Sequence, residues 1–128
     1  MTLILDASGL SALAGNRAKL IELRDRGLWP PQVPALVLVE ALTSDGRLAG
    51  GVHRLLASCQ VREVDERVFR EAARLRAMSG RADQISPVSA VVAAFAASHP
   101  EPVVITRDRG ELDLLAAHAM HPVTVVAV

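Results

Sequence analysis

The feature that most constrains this chain is the placement of its short, β-branched apolar runs. Leu3 to Leu5, Val61 to Val64, Val103 to Thr106 and Val123 to Val128 are each bounded by charged residues, proline or the chain end, which is how strands read. Taken together they look like strands buried on both faces. The stretches between them carry helical patterns, so strands and helices alternate. Alternation of that kind implies an α/β class, with a central, mainly parallel β-sheet flanked by α-helices.

The helix signals are local and physical. Asp65 can cap a helix from Glu66 to Met78, with Val68, Ala72, Leu75 and Met78 along one stripe and Gly80 closing the end. Ser86-Pro87 supplies an N-cap and a first-turn proline for Val88 to Ala97, which is apolar nearly all round and therefore expected to be buried. Asn16 can cap Arg17 to Arg26, and Pro34 can open a helix that runs through Leu42. Leu48-Ala49-Gly50-Gly51 reads as a loop, too short to divide two folding units, so residues 1–128 are expected to form a single domain.

With 128 residues, the chain can bury about two-thirds of its unfolded surface without covalent staples. Cys59 is the one cysteine and cannot form an internal disulfide, which suits a reducing compartment. The residues after Met1 lack the basic and apolar regions of a signal peptide, so the cytoplasm is the default expectation. The most apolar stretches, Ala35 to Leu42 and Val88 to Ala97, are far shorter than the roughly 20 residues of a membrane span.

Acidic and basic residues balance at 14 each, which removes the long-range attraction for polyanions that marks many nucleic-acid binders. All the basic residues except Lys19 are arginine, whose planar fork suits phosphate or carboxylate, so local arginine patches remain compatible with RNA or an acidic partner. Tyrosine is absent and aromatics are scarce, which argues against a base-stacking platform for single strands.

Three acidic residues stand out. Asp6 ends the first strand and Asp108 lies two residues beyond Thr106, so a parallel sheet brings both to its C-terminal edge, where such sheets place their ligand crevice. Each alone reads equally as a helix N-cap, Asp6 before Ala7-Ser8-Gly9-Leu10 and Asp108 before Arg109 to Ala117. Glu40 interrupts the apolar run from Ala35 to Leu42, where burial would make an unpaired carboxylate costly. It can hold a metal, face solvent or pair with an arginine. Gathered at one edge, the three would repel unless a cation or a shared proton held them, and Mg²⁺ or Mn²⁺ suits such oxygen donors.

Other chemistries find no support. His53, His99, His118 and His121 show no zinc-ligand spacing. There is no G-x-S-x-G elbow, no phosphate-binding glycine loop after a strand, and no motif around Cys59.

The opening Leu3-Ile4-Leu5-Asp6-Ala7-Ser8-Gly9-Leu10 closely resembles the start of PIN domains, where a strand ends in a metal-binding Asp. Pro34-Ala35-Leu36-Val37-Leu38-Val39-Glu40-Ala41-Leu42 looks like the next family segment, with Glu40 as its acid. Val103-Val104-Ile105-Thr106-Arg107-Asp108-Arg109-Gly110-Glu111-Leu112 looks like the late T-S-D-x-x-D-L segment, which aligns Thr106 and Asp108 with its polar and acidic positions. The order, spacing and closing strand match across nearly the whole chain, and its size resembles the VapC-type toxins of toxin–antitoxin systems.

The third family segment departs from the pattern. An Asp-Ala pair usually opens the apolar helix there, and this chain has Ser89-Ala90, with Ser86 upstream. Asp83 is an alternative acid one turn earlier, or else a solvated loop residue. Glu111 and Asp113 can contribute too, or form an exposed first turn favoured by the helix dipole.

The resemblance implies an Mg²⁺- or Mn²⁺-dependent ribonuclease toxin in which Asp6, Glu40 and Asp108 hold the metal. Thr106, Ser89 and Asp83 are its candidate supporting residues. Arg107 and Arg109 are placed to engage RNA phosphates, with surface solvation as their plainer role. It also implies a cognate antitoxin and a homodimer built from the N-terminal and neighbouring helices. Ser86 and Ser89 leave open a PIN-like module with a degraded metal site that acts through antitoxin binding. An unrelated phosphoryl-transfer or receiver-like α/β domain is weakened by the lack of a paired acidic start and a late-strand lysine.

Overall fold

The computed structural model describes residues 1–43 and 49–128. Its elements run β1 (Thr2–Leu5), α1 (Ala7–Ala14), α2 (Arg17–Asp25), β2 (Gln32–Pro34), α3 (Val37–Ala41), α4 (Ala49–Ala57), β3 (Gln60–Arg62), α5 (Glu66–Met78), α6 (Pro87–Ala97), β4 (Pro102–Thr106), α7 (Gly110–Ala116) and β5 (Thr124–Ala127). Among the described residues the strands form one five-stranded sheet in the order β3-β2-β1-β4-β5, and every neighbouring pair is parallel. The α/β class and the parallel sheet expected from the alternation are both present.

Burial follows position in the sheet. The central strands β1 and β4 contribute the fully buried Leu3, Ile4, Leu5, Val104 and Ile105, with Leu3 to Leu5 paired in register against Val103 to Ile105. Burying each such aliphatic side chain contributes roughly 1.5–3 kcal/mol relative to exposure. The edge strands differ from the sequence expectation. β3 covers Gln60–Arg62 instead of Val61 to Val64 and is exposed at all three residues, because an edge strand with one neighbour has little of the molecule to cover it. β5 buries only Val125 fully.

Helix α6 is buried from Ala90 to Ala97, as its all-round apolar character required. Its small alanines let it sit directly on the sheet and against α5, whose Ala72 and Leu75 face inward. Met78, at the end of the α5 stripe, is 55% exposed instead of buried. Gly80 follows with φ of 71°, a left-handed conformation that a side chain resists and that ends α5.

Two assignments change. Pro34 ends β2 instead of opening a helix, and the helix that follows is the short α3, Val37–Ala41. A three-residue strand holds too few residues for a periodic signal, and the next backbone N–H, on Ala35, already bonds to the Arg62 carbonyl of β3. Ala49, Gly50 and Gly51 form the first turn of α4 instead of a loop, while Leu48 lies outside the described residues. Two glycines weaken helix propensity by about 1 kcal/mol each. Packing of α4 against α1 overrides that, burying Val52 and Leu55. Gly51 sits where an added Cβ would lie only 3.4 Å from the Ala14 Cβ.

Candidate active site

Because all strands run the same way, the ends of β1 and β4 share one edge. Asp6 leaves β1 there with extended backbone (φ −90°, ψ −178°) and caps α1, its Oδ1 accepting from the Gly9 N–H at 2.7 Å. The capping role read from the sequence is therefore real, and it coexists with a place in the site. Oδ2 accepts from the Thr106 hydroxyl at 2.7 Å, and the Ser8 hydroxyl donates to Oδ1 at 3.0 Å. Ser8 Oγ also lies 2.9 Å from Thr106 Oγ1 and accepts from the Arg107 N–H at 2.9 Å. Sequence reasoning passed over Ser8. Its position two residues after a strand-ending Asp, on the first turn of the capped helix, was the available signal.

Asp6, Glu40, Asp108 and Glu111 line one cavity of about 350 Å³, together with Ser8, Ser86, Ser89 and Thr106. Val88, Val92 and Leu112 supply its apolar wall. Glu40 is exposed on α3, where Val37 and Ala41 are buried and Val39 is 62% exposed, so its carboxylate avoids the desolvation that an uninterrupted buried run would impose. Asp108 is exposed in the turn after β4, and its Oδ1 accepts from the Gly110 N–H at 2.9 Å. Helix α7 starts at Gly110, one residue later than expected, and Arg109 at its N-cap makes no side-chain cap bond.

The third segment has an unexpected arrangement. Ser86 caps α6, its hydroxyl accepting from the Val88 N–H at 3.2 Å. Glu111 reaches across from α7, accepting from Ser89 Oγ at 2.7 Å through Oε2 and from the Ser86 N–H at 3.2 Å through Oε1. Asp83 is exposed and is not among the residues that line the cavity. Arg107 and Arg109 flank Asp108 and are exposed, and Arg109 pairs with Asp113 at 3.2 Å.

Among the described residues, no three acidic, histidine or cysteine side chains already converge closely enough to hold a metal ion. The four carboxylates instead stand around the cavity walls, with Glu40 and Asp108 exposed. The donor chemistry fits a hard divalent cation, being oxygen throughout. The charge fits as well: no basic residue lines the cavity, and none of the four carboxylates has an ion-pair partner among the described residues. Like charges held at one edge without compensation favour a bound cation.

No family model matches this chain, and no curated protein matches it. Solved structures do. A chain of the crystal structure of DNA-bound VapBC from Salmonella typhimurium superposes with a TM-score of 0.71 at 18% identity, covering 98% of each chain. A chain of FitAB bound to an IR36 DNA fragment gives 0.64 at 21% identity over 97% of this chain and 94% of that one. A chain of FitAcB from Neisseria gonorrhoeae gives 0.63 at 21% identity over 96% of both. The chain therefore has a PIN-like α/β fold along essentially its whole length.

Proposed function

We propose that this chain is a metal-dependent ribonuclease of the toxin type, neutralised by a cognate antitoxin protein. The observation that carries the reading is the set of four carboxylates, without an ion-pair partner among the described residues, that line one cavity at the C-terminal edge of a parallel sheet. The likeness to chains from VapBC and FitAB assemblies supports the toxin–antitoxin setting and a protein partner.

In this reading Asp6, Glu40 and Asp108 hold Mg²⁺ or Mn²⁺, which supplies positive charge that stabilises the charge developing on a scissile phosphate. Thr106 and Ser8 fix the Asp6 carboxylate so that its orientation is set before a ligand arrives. Arg107 and Arg109 flank Asp108 in the chain and are exposed, and in this reading their guanidinium groups would engage the RNA backbone. The exposed Ile21 of α2, Val39 of α3 and Leu42 just beyond it provide apolar surface for a homodimer. No described helix is long and apolar enough to cross a membrane.

The test is cleavage of a synthetic single-stranded RNA by purified protein with Mg²⁺ or Mn²⁺, run beside Asp6→Asn. Asn retains a capping oxygen but lacks the charge, so activity is expected to fall while the fold persists. Equal cleavage by the two proteins refutes the assignment. A second reading, a catalytically weak module acting through antitoxin binding, is favoured by Ser89, a hydroxyl on α6 where the resemblance places an acid. It expects antitoxin binding by wild type and Asp6→Asn alike, with no metal-dependent cleavage by either.

A further inference from the structure

We propose that a second cavity, remote from the four carboxylates, binds a guanidinium group. Its volume is about 480 Å³, and it shares no lining residue with the candidate active site. The two cavities sit at opposite ends of α6, whose 11 residues span roughly 16 Å. Gln32, which opens β2, lines this second cavity, and its Oε1 is the buried side-chain polar atom left without a hydrogen-bond partner among the described residues. An amide oxygen withdrawn from water is costly to leave unpaired, so a ligand that brings a donor is favoured there.

The rest of the polar lining also consists mostly of acceptors. Ser98 donates its one hydroxyl proton to the Phe95 carbonyl at 2.6 Å. The same carbonyl lies 2.7 Å from His99 Nδ1, and since a carbonyl only accepts, Nδ1 carries the proton and Nε2 of the neutral ring keeps its lone pair. Asp65 commits Oδ1 to the Val68 N–H at 3.0 Å, and neither it nor Glu63 has an ion-pair partner among the described residues. Both carboxylates are exposed at the rim. The C-terminal end of α6, with no basic residue in its last turn, adds its partial negative charge. Arg62 is the cation of the lining, and its Nη2 donates to Gln60 Oε1 at 3.1 Å.

Acceptors drawn from β2, the loop before α5 and the end of α6 call for several donors in one group. Phe95 and His99, with ring centroids 4.4 Å apart, give the cavity an aromatic side. A guanidinium carries donors around a charged plane and stacks on rings, whereas an ammonium is compact and strongly hydrated. The group can arrive on a free small molecule or as an arginine of another chain.

The test is an NMR titration of the full chain that follows the Gln32 side-chain amide and the His99 ring. The probes are butylguanidinium, butylammonium and the capped peptide acetyl-Gly-Arg-Gly-amide. Saturable shifts at both residues are expected with butylguanidinium, and at least threefold weaker binding with butylammonium. Binding by butylguanidinium alone assigns a free molecule, and binding by the peptide as well assigns an arginine on a chain. Gln32→Leu is expected to weaken butylguanidinium about tenfold, the effect of one lost hydrogen bond to a charged group. Asp65→Asn, which keeps the helix cap, is expected to weaken it about threefold, and Arg62→Gln to tighten it by a similar factor. Thermal melting checks that each variant folds. No saturable shift with either guanidinium probe, equal binding of butylammonium, or wild-type affinity in a folded Gln32→Leu overturns the proposal. Should Gln32→Leu not fold, the two charge variants decide: opposite changes in affinity support the site, and unchanged affinity in both overturns it.

Discussion

Thr106 Oγ1 donates to Asp6 Oδ2 across 2.7 Å, joining residues 100 positions apart at the ends of β4 and β1. Thr106 is only 1% exposed, so this hydroxyl is withdrawn from water and its bond to the carboxylate is its main compensation. The Asp6 side chain is held from both sides, by Thr106 on one oxygen and by the Gly9 N–H and Ser8 hydroxyl on the other.

Thr106→Val is nearly isosteric but removes the donor. Stability to urea is expected to fall by about 1–3 kcal/mol, with Thr106→Ser closer to wild type because it retains the hydroxyl. A Thr106→Val protein as stable as wild type would show that the contact contributes nothing to the fold.

Gly9 is required by close approach. An added Cβ would overlap the Ile105 carbonyl oxygen and lie 3.1 Å from Asp6 Oδ1, so β4 and the start of α1 could not both keep their places. Overpacking of this kind costs about 1–3 kcal/mol or more. Gly9→Ala is therefore expected to lower the thermal midpoint, and unchanged melting would contradict the observed packing of α1 on β4.

Four carboxylates line one cavity with no ion-pair partner among the described residues, and repulsion between them would be relieved either by removing a charge or by adding a cation. In EDTA, Glu40→Gln and Asp108→Asn are expected to melt at or above the wild-type temperature. If the proposed reading holds, the wild type is expected to gain about 2.7 kcal/mol with Mg²⁺ at a hundred times its dissociation constant, and Asp6→Asn much less. Scanning calorimetry with and without the ion reads both effects. Equal Mg²⁺ gains in the two proteins would remove Asp6 from the site.

Partial burial pushes the Cys59 thiol from its ordinary 9.0 up to about 11, and its Sγ donates to the Leu55 carbonyl at 3.2 Å. The folded state therefore holds the thiol proton more tightly than the unfolded chain does. That contribution is complete below pH 9.0 and is lost as pH rises through about 11. Alkylation by iodoacetamide at pH 8 is expected to be slow in the native protein and fast in urea, because the thiolate is the reactive form. Equal rates would contradict the burial.

Much of this architecture was legible because it depends on local rules. The strand-ending Asp6, the caps at Asn16, Asp65 and Ser86, and the all-round apolar α6 each follow from a few neighbouring residues, and each is found where those residues place it. The strand β2 and the helix α4 were not legible. One is too short for periodicity, and the other carries two glycines that only packing against α1 makes tolerable.

By itself the sequence determined the parallel α/β scaffold and the acids at its strand ends, since hydrophobic periodicity and capping act over a few residues. Only the tertiary structure decided which acids share a cavity, that Asp83 is not among them, and that Glu111 leans across to Ser89. Those relations depend on how α6 and α7 pack on the sheet, and no spacing along the chain encodes the distance between side chains on two different helices.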